Sequence, residues 1–339
     1  MTKYVLKRLA WMLLVIVGVI TIAFLLSELT PGDAATIQAG GAGTPEGIAA
    51  IRQEMGLDRP VLVRYGEYIF RLFTRFDFGK SLQTKQPVLQ EILQRCPITF
   101  KLAIASVALA LLIGIPLGIV AALKRSTFFD NLSMLISLLG VSMPQFWLGL
   151  MLILAFSVRL RWLPATGGNG GFTSWILPVF TLGFSTAATI ARTTRSSMLE
   201  VIRADYIRTA RAKGQTPFRI IISHEMRNAL IPIVTVVGNQ LGHLLGGAVM
   251  IESVFAMSGL GTYLISSINA RNSVSLQGGV VFISIVFSFV NLIVDLLYVV
   301  IDPSLKTMFA GKGRKAARKQ ALANAEEKLA KGLSKGGSR

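Results

Sequence analysis

Apolar residues in this chain gather into long uncharged runs rather than alternating or recurring on one helical face. No Asp, Glu, Lys or Arg occurs in Leu9–Leu26, Leu102–Leu123, Leu132–Val158, Asn228–Ile251 or Asn272–Val294. A bilayer core of ~30 Å needs about 20 apolar residues in a helix. The runs therefore predict an all-α membrane protein with six spans, at about 9–29, 99–123, 132–158, 175–192, 229–252 and 278–301. The fourth is the weakest, because the glycine-rich Pro164–Gly171 beside it reads as a loop. Pro116, flanked by Gly114 and Gly118, sits inside a span, a placement that membrane helices tolerate when neighbours re-satisfy the backbone. The first uncharged run has 18 residues, longer than the roughly 7–15 of a signal peptide, and so predicts a retained helix.

Composition supports that reading. Of 339 residues 52% are apolar and 15% charged, with a mean hydropathy of +0.59, against about 25% charged in soluble chains. A soluble enzyme is excluded. The net charge of +18 raises nucleic-acid binding, but no zinc-finger spacing or RNA-binding aromatic motif accompanies it, and no nucleic-acid partner is expected. The charge instead records topology. With the N-terminus inside, 23 Lys/Arg fall on the cytoplasmic side and 11 outside, eight of these in a loop longer than 60 residues, where the positive-inside rule has little force. Both termini are expected in the cytoplasm of a multi-pass inner-membrane protein. The expected organisation is a first membrane helix (1–29), an extracytoplasmic loop domain (30–98), a transmembrane core (99–305) with a charged inside loop at 193–228, and a basic cytoplasmic tail (306–339).

Catalytic and metal chemistry have no foothold. Gly79-Lys80-Ser81 lacks the earlier glycine of a phosphate-binding loop, where Thr74 stands. Gly183–Ala187 lacks the closing glycine of a nucleophile elbow. His224 and His243 fall on opposite sides of a membrane boundary, and the lone Cys96 excludes a cysteine cluster. No enzyme activity, metal or bound cofactor is expected.

Two membrane helices carry polar patterns. On the fifth, Gly238, Gly242 and Gly246 recur every four residues, a packing face for a second helix. Thr235, Asn239 and His243 form a parallel polar stripe about 100° round, which reads either as a pathway lining or as interhelical hydrogen bonding. On the sixth, Asn291 and Asp295 lie one turn apart; Asp295 is expected to pair with Lys7 or Arg8, the alternative being a proton relay.

The inside loop is the sharpest feature. Asp205-Tyr206-Ile207-Arg208-Thr209-Ala210-Arg211-Ala212-Lys213-Gly214 has helix formers and a glycine stop, and Pro217–Arg227 follows as a second basic helical stretch. This predicts a short surface helix held between two membrane helices, suited to a groove on another protein. Solvated, the loop would leave Tyr206 and Ile207 without partners.

That loop resembles the coupling loop of importer permeases in the ATP-binding-cassette superfamily, with Asp205, Thr209-Ala210 and Gly214 matching the dipeptide/oligopeptide (peptide/nickel) family. Similar to that family's B-type subunit are also Leu29–Ala35, Met55–Pro60, Phe76–Ser81, Ser142–Gly149, Gly259–Gly261, Gln277–Gly279 and Val290–Tyr298, in order over about residues 1–305. Met226-Arg227 departs from the Leu-Pro pair that usually closes the loop, and the 159–174 loop is short for the family. The resemblance implies a coupling helix between spans four and five, with Asp205, Tyr206, Arg208, Ala210 and Gly214 meeting an ATPase, and adds Ser142 and Phe146 to the pathway candidates. It implies as partners a C-type permease, two cytoplasmic ATPase subunits that use the ATP, and an extracytoplasmic solute-binding protein that delivers a peptide. Nickel, glutathione or another small solute is the alternative cargo. Two other classes are an ion-coupled secondary transporter with Asp295 as relay, and a membrane scaffold.

Overall fold

The protein is described by a computed structural model over residues 2–29, 34–39, 43–168 and 170–301; the basic tail and the Pro31-Gly32 turn lie outside the described residues. The described chain is helical throughout, with one isolated bridge, Lys80 to Pro87. In order the helices are α1 (Thr2–Leu29), α2 (Ala34–Ala39), α3 (Pro45–Glu54), α4 (Val61–Arg75), α5 (Val88–Leu123), α6 (Phe128–Ser142), α7 (Gln145–Leu152), α8 (Thr173–Ile202), α9 (Asp205–Ala212), α10 (Pro217–Arg219), α11 (Arg227–Val254), α12 (Leu260–Asn269) and α13 (Ser273–Ile301). Seven-residue π-helical segments continue α7 through Arg159 and join α10 to α11 over Ile220–Met226.

Among the described residues five helices are long and apolar enough to cross a membrane, and α6 with the extended α7 passes the same test as a pair bent by 104°, a broken span or a re-entrant loop. The predicted third span is thus a broken pair. Pro144 has no N–H and pushes Met143 out of the helical region (φ −82°, ψ 125°). Two other spans outrun their predicted bounds. The α5 helix begins at Val88, three turns early, through Glu91, Arg95 and Pro97, and α8 runs on to Ile202. The second basic stretch of the inside loop is not a separate helix but the lead-in to α11.

Helix packing rests on glycines. A Cβ at Gly114 or Gly118 of α5 would lie 2.7 Å and 2.6 Å from the carbonyl oxygens of Ala187 and Ala191 on α8. A Cβ at Gly183 of α8 would lie 2.9 Å from the Ser106 carbonyl oxygen of α5. Between apolar helices in lipid, such backbone approach supplies the dispersion contacts that the hydrophobic effect cannot. Likewise α11 meets α13 where Gly238 faces Val294 and Gly242 faces Phe287. The α1 helix joins the bundle through Ile16, Ile20 and Ala23, which share a core with Val281 of α13 and with Val88, Ile92 and Cys96 of α5.

Polar joints fix the ends. Asp130 of α6 takes a two-pronged ion pair from Arg195 of α8 (2.6 Å and 2.9 Å) and accepts the Ser126 N–H. At the other end Glu252 of α11 is fully buried. One carboxyl oxygen accepts the Thr99 hydroxyl of α5 at 2.5 Å, and the other accepts the Gly261 and Thr262 N–H groups that open α12. A side chain at Gly259 or Gly261 would collide with that carboxyl, so Gly259-Leu260-Gly261 is shaped around it. Nearby, Glu91 accepts from Thr84 and Tyr263, with the Arg95 guanidinium 4.7 Å over the Tyr263 ring. Burial pushes the Tyr263 phenol above its usual range, so it stays a donor. Asn272 ties the 81–82 loop to the start of α13.

Two variants test these joints. Gly118→Leu is expected to cost on the order of 1–3 kcal/mol or more, while Gly246→Leu, with nothing within 4 Å, should be near neutral; thermal unfolding of the purified protein separates them. By the same measurement Glu252→Ala should unfold at lower temperature than Glu252→Gln, because Ala strands three donors at about 1–3 kcal/mol each and Gln keeps an acceptor.

Candidate functional site

The inside loop is a small packed unit. The chain leaves α8 at Arg203, turns extended at Ala204 (ψ 144°) and enters α9. Ile207 and Ala210, three residues apart on one face, are buried against Ile220, with Val201 alongside. Gly214 then stops the helix at φ +73°, where L side chains are strained. Arg211 reaches the buried Glu225 at 3.4 Å, His224 and Gln215 are joined at 2.8 Å, and the Asn228 amide donates to the His224 carbonyl. The unit is thereby fastened to the helix that becomes α11.

Its outward face carries Asp205, Tyr206 and Arg208. The Asp205–Arg208 contact is long, 3.9 Å, between exposed groups and contributes little. Ala210 differs from the expectation: it lies beneath this face, in the contact with Ile220. Ile207, expected to need an outside partner, finds one within the chain. Gly214 has nothing within 4 Å of where a Cβ would be, so only its backbone conformation resists substitution. Sequence reasoning missed Phe218 and Ile222, 75% and 51% exposed, two further open apolar residues in the loop that carries Tyr206. Two large apolar residues in a basic stretch were the available signal.

The face of α11 is less uniform than its pattern. Gly238 and Gly242 pack on α13, but Gly246 is exposed and outside that seam. The Thr235 hydroxyl donates to the Ile231 carbonyl of its own helix at 2.9 Å, Asn239 is exposed, and the His243 side chain lies outside the described residues. Ser142 and Phe146 flank the 104° bend, both exposed; no described hydrogen bond joins them to Asn239. Asp295 pairs with Arg8 at 2.8 Å, holding α13 to α1. Asn291 shares their groove of about 170 Å³, with Trp11 and Ser288. Among the described residues no group of three His, Cys, Asp or Glu could hold a metal.

Residues 114–307 match the family described as binding-protein-dependent transport system inner membrane component, and residues 1–103 match its N-terminal counterpart. The dipeptide transport system permease protein DppB of Alkalihalophilus pseudofirmus is 41% identical over 333 residues, covering 90% of this chain and all of that relative. The glutathione transport system permease protein GsiC of Salmonella typhimurium is 41% identical over 306 residues, covering 90% and 99%. Among solved structures, the inward-facing MetNI methionine ABC transporter shares the fold, with a TM-score of 0.56 at 20% identity over 64% of this chain and 99% of that one. With matches running from the first helix to the end of the bundle, this chain belongs to the inner-membrane components of binding-protein-dependent transport systems.

Proposed function

We propose that the chain is one permease subunit of an ATP-binding-cassette importer and forms half of a pathway for di- or oligopeptides. The observation that carries this reading is the inside loop. Exposed Tyr206 and Arg208 on α9, and exposed Phe218 and Ile222 on the stretch leading into α11, are carried on a packed unit set directly between α8 and α11. A face mounted this way suits transmission of motion from an ATPase, since displacing it must displace two membrane helices. The full-length similarity to a dipeptide permease supports the peptide cargo, and the comparable similarity to a glutathione permease, itself a peptide-like substrate, makes glutathione the first alternative before nickel.

On this reading a C-type permease completes the pathway, two cytoplasmic ATPase subunits bind and hydrolyse the ATP, and an extracytoplasmic binding protein delivers the solute. This chain itself performs no catalysis. The Arg8–Asp295 pair gives Asp295 a part in joining α13 to α1, which supports the structural reading over the relay of an ion-coupled carrier. Thr235, Asn239, Ser142 and Phe146 are assigned to the pathway, and the loop domain after α1 to the extracytoplasmic side with both termini inside.

Phe218→Asp and Tyr206→Asp are expected to weaken retention of the ATPase on the purified complex tenfold or more, at least about 1.4 kcal/mol, with membrane insertion unchanged. Undiminished co-purification in both would remove the loop as the dock. A cysteine replacing Ala39 should react with an impermeant thiol reagent added to intact cells, and one replacing Ala321 should not; Cys96 is buried and gives little background. Equal labelling would overturn the orientation. For cargo, ATP-dependent uptake into proteoliposomes is expected with a dipeptide-loaded binding protein and not with a nickel-loaded one.

A further inference from the structure

The α4 helix has three separate sides. At about 100° per residue, Tyr65, Tyr68, Ile69 and Leu72 share one side and pack into the core beside Ile20 and Ala23 of α1. Arg64, Glu67, Arg71, Thr74 and Arg75 share the second. The third carries Leu62, Val63, Phe70 and Phe73, and it is open: Leu62 is 82% exposed and Phe70 62%.

Contacts with α1 set the level of this helix. The Tyr65 and Thr21 hydroxyls are 2.6 Å apart, and the Phe24 ring lies 5.3 Å from that of Tyr65 and 6.2 Å from that of Tyr68. Thr21 is eight residues before Leu29, about 12 Å along the helix at 1.5 Å per residue. It lies inside the uncharged run Leu9–Leu26, at a depth where α1 itself crosses the membrane. Arg64, on the polar side of α4, pairs with Glu28, near the end of α1. The polar side is therefore turned toward the Leu29 end, and the open apolar side away from α1 and toward the membrane centre. Over the same stretch α1 itself exposes Ile22, Leu25, Leu26 and Leu29, apolar residues of a helix that crosses the membrane.

We propose that α4 is an interfacial helix lying in the bilayer leaflet at the Leu29 end of α1, with Leu62, Phe70 and Phe73 among the lipid acyl chains and Arg64, Glu67 and Arg71 at headgroup level. The segregation of apolar, core and charged sides on one helix is what such a position requires. Lipid is the occupant because the contacts of Tyr65 and Tyr68 with Thr21 and Phe24 hold α4 at the depth of a membrane span, where α1 also exposes apolar side chains. The loop domain predicted to stand wholly outside is then anchored in the membrane by its longest helix, an extra foothold beside α1. The inference rests on α1 crossing the membrane, and not on which side the N-terminus occupies.

Spin labels test it in the full complex reconstituted in lipid nanodiscs, which expose both membrane faces. Cysteines replacing Leu62, Phe70 and Phe73 are compared with ones replacing Glu67 and Arg71 and with a lipid reference replacing Ile22, all in a Cys96→Ala background. Collision with oxygen, which concentrates in acyl chains, is measured against collision with a water-soluble nickel chelate. The oxygen-to-chelate ratio at 62, 70 and 73 is expected to match position 22 and to exceed that at 67 and 71 several-fold. Chelate access at 70 and 73 equal to that at 67 would place the face in water and overturn the proposal. Shielding from both reagents would also overturn it, by showing a protein partner on that face. Complexes that retain the ATPase certify that each labelled variant is folded, and Leu62, the most open of the three, remains informative if the phenylalanine changes disturb packing.

Discussion

The arrangement depends on how closely the backbones of α5 and α8 approach. In lipid, apolar side chains gain nothing by leaving solvent, so two helices stay together only through close contact and polar pairing. Gly114, Gly118 and Gly183 bring carbonyl oxygens of one helix to where the other would carry a Cβ. A methyl at any of them forces the pair apart. The two-pronged Arg195–Asp130 pair then seats α6 against α8 near that crossing, and the Glu252 joint ties the far end of α5 to α11 and α12. Removing the glycine contact would leave those polar joints spanning a gap that their bond lengths cannot cover.

This seam explains why the inside loop is mounted as it is. The α9 helix sits between α8 and the lead-in to α11, and its buried side, Ile207 and Ala210, holds those two segments together. On the proposed function, a push on the exposed face travels up α8, whose glycine seam engages α5, and up α11, whose Gly238 and Gly242 engage α13. The α8 helix thus has α5 clamped to it at backbone distance, and α11 has the Val294 and Phe287 side chains of α13 seated on its glycines. The π-helical turn over Ile220–Met226 lies where this chain of contacts enters α11, and π-helical turns are a common feature of functional joints.

The membrane crossings were legible in the sequence because absence of charge over about 20 residues has one cheap explanation. What lay beyond the lipid was not. The first turns of α5 contain Glu91 and Arg95, which end a hydropathy run but not a helix, since Glu91 is paired with Tyr263 and Thr84 outside the bundle. The α12 helix went unread because it is ten residues long, below any membrane signal, and its start is dictated by a distant carboxyl. Glycine spacing was read on α11, where Gly246 proves unpacked, and passed over on α5, where Gly114 and Gly118 show the same spacing. The spacing names a possible close face; only the partner helix decides whether it is used. In the inside loop Tyr206 and Arg208 are exposed, whereas Ile207 and Ala210 turn onto Ile220, a partner ten and more residues on that helix formers and a glycine stop do not announce.

The same bookkeeping of charge bears on what the pathway can carry. The buried carboxyls Glu91, Asp130, Glu225 and Glu252 each contact a second element, and the half-buried Asp295 contacts Arg8. Charge inside this bundle is thus committed to joints between segments. Among the described side chains, the polar groups that α11 contributes to the proposed pathway are the Asn239 amide and the Thr235 hydroxyl, the latter already donating to its own backbone. Such groups offer a zwitterionic solute hydrogen bonds but no deep electrostatic trap, and passage requires binding weak enough to leave. That leaves discrimination among solutes to a protein that binds them before they reach the membrane, in keeping with a family defined by its dependence on a binding protein.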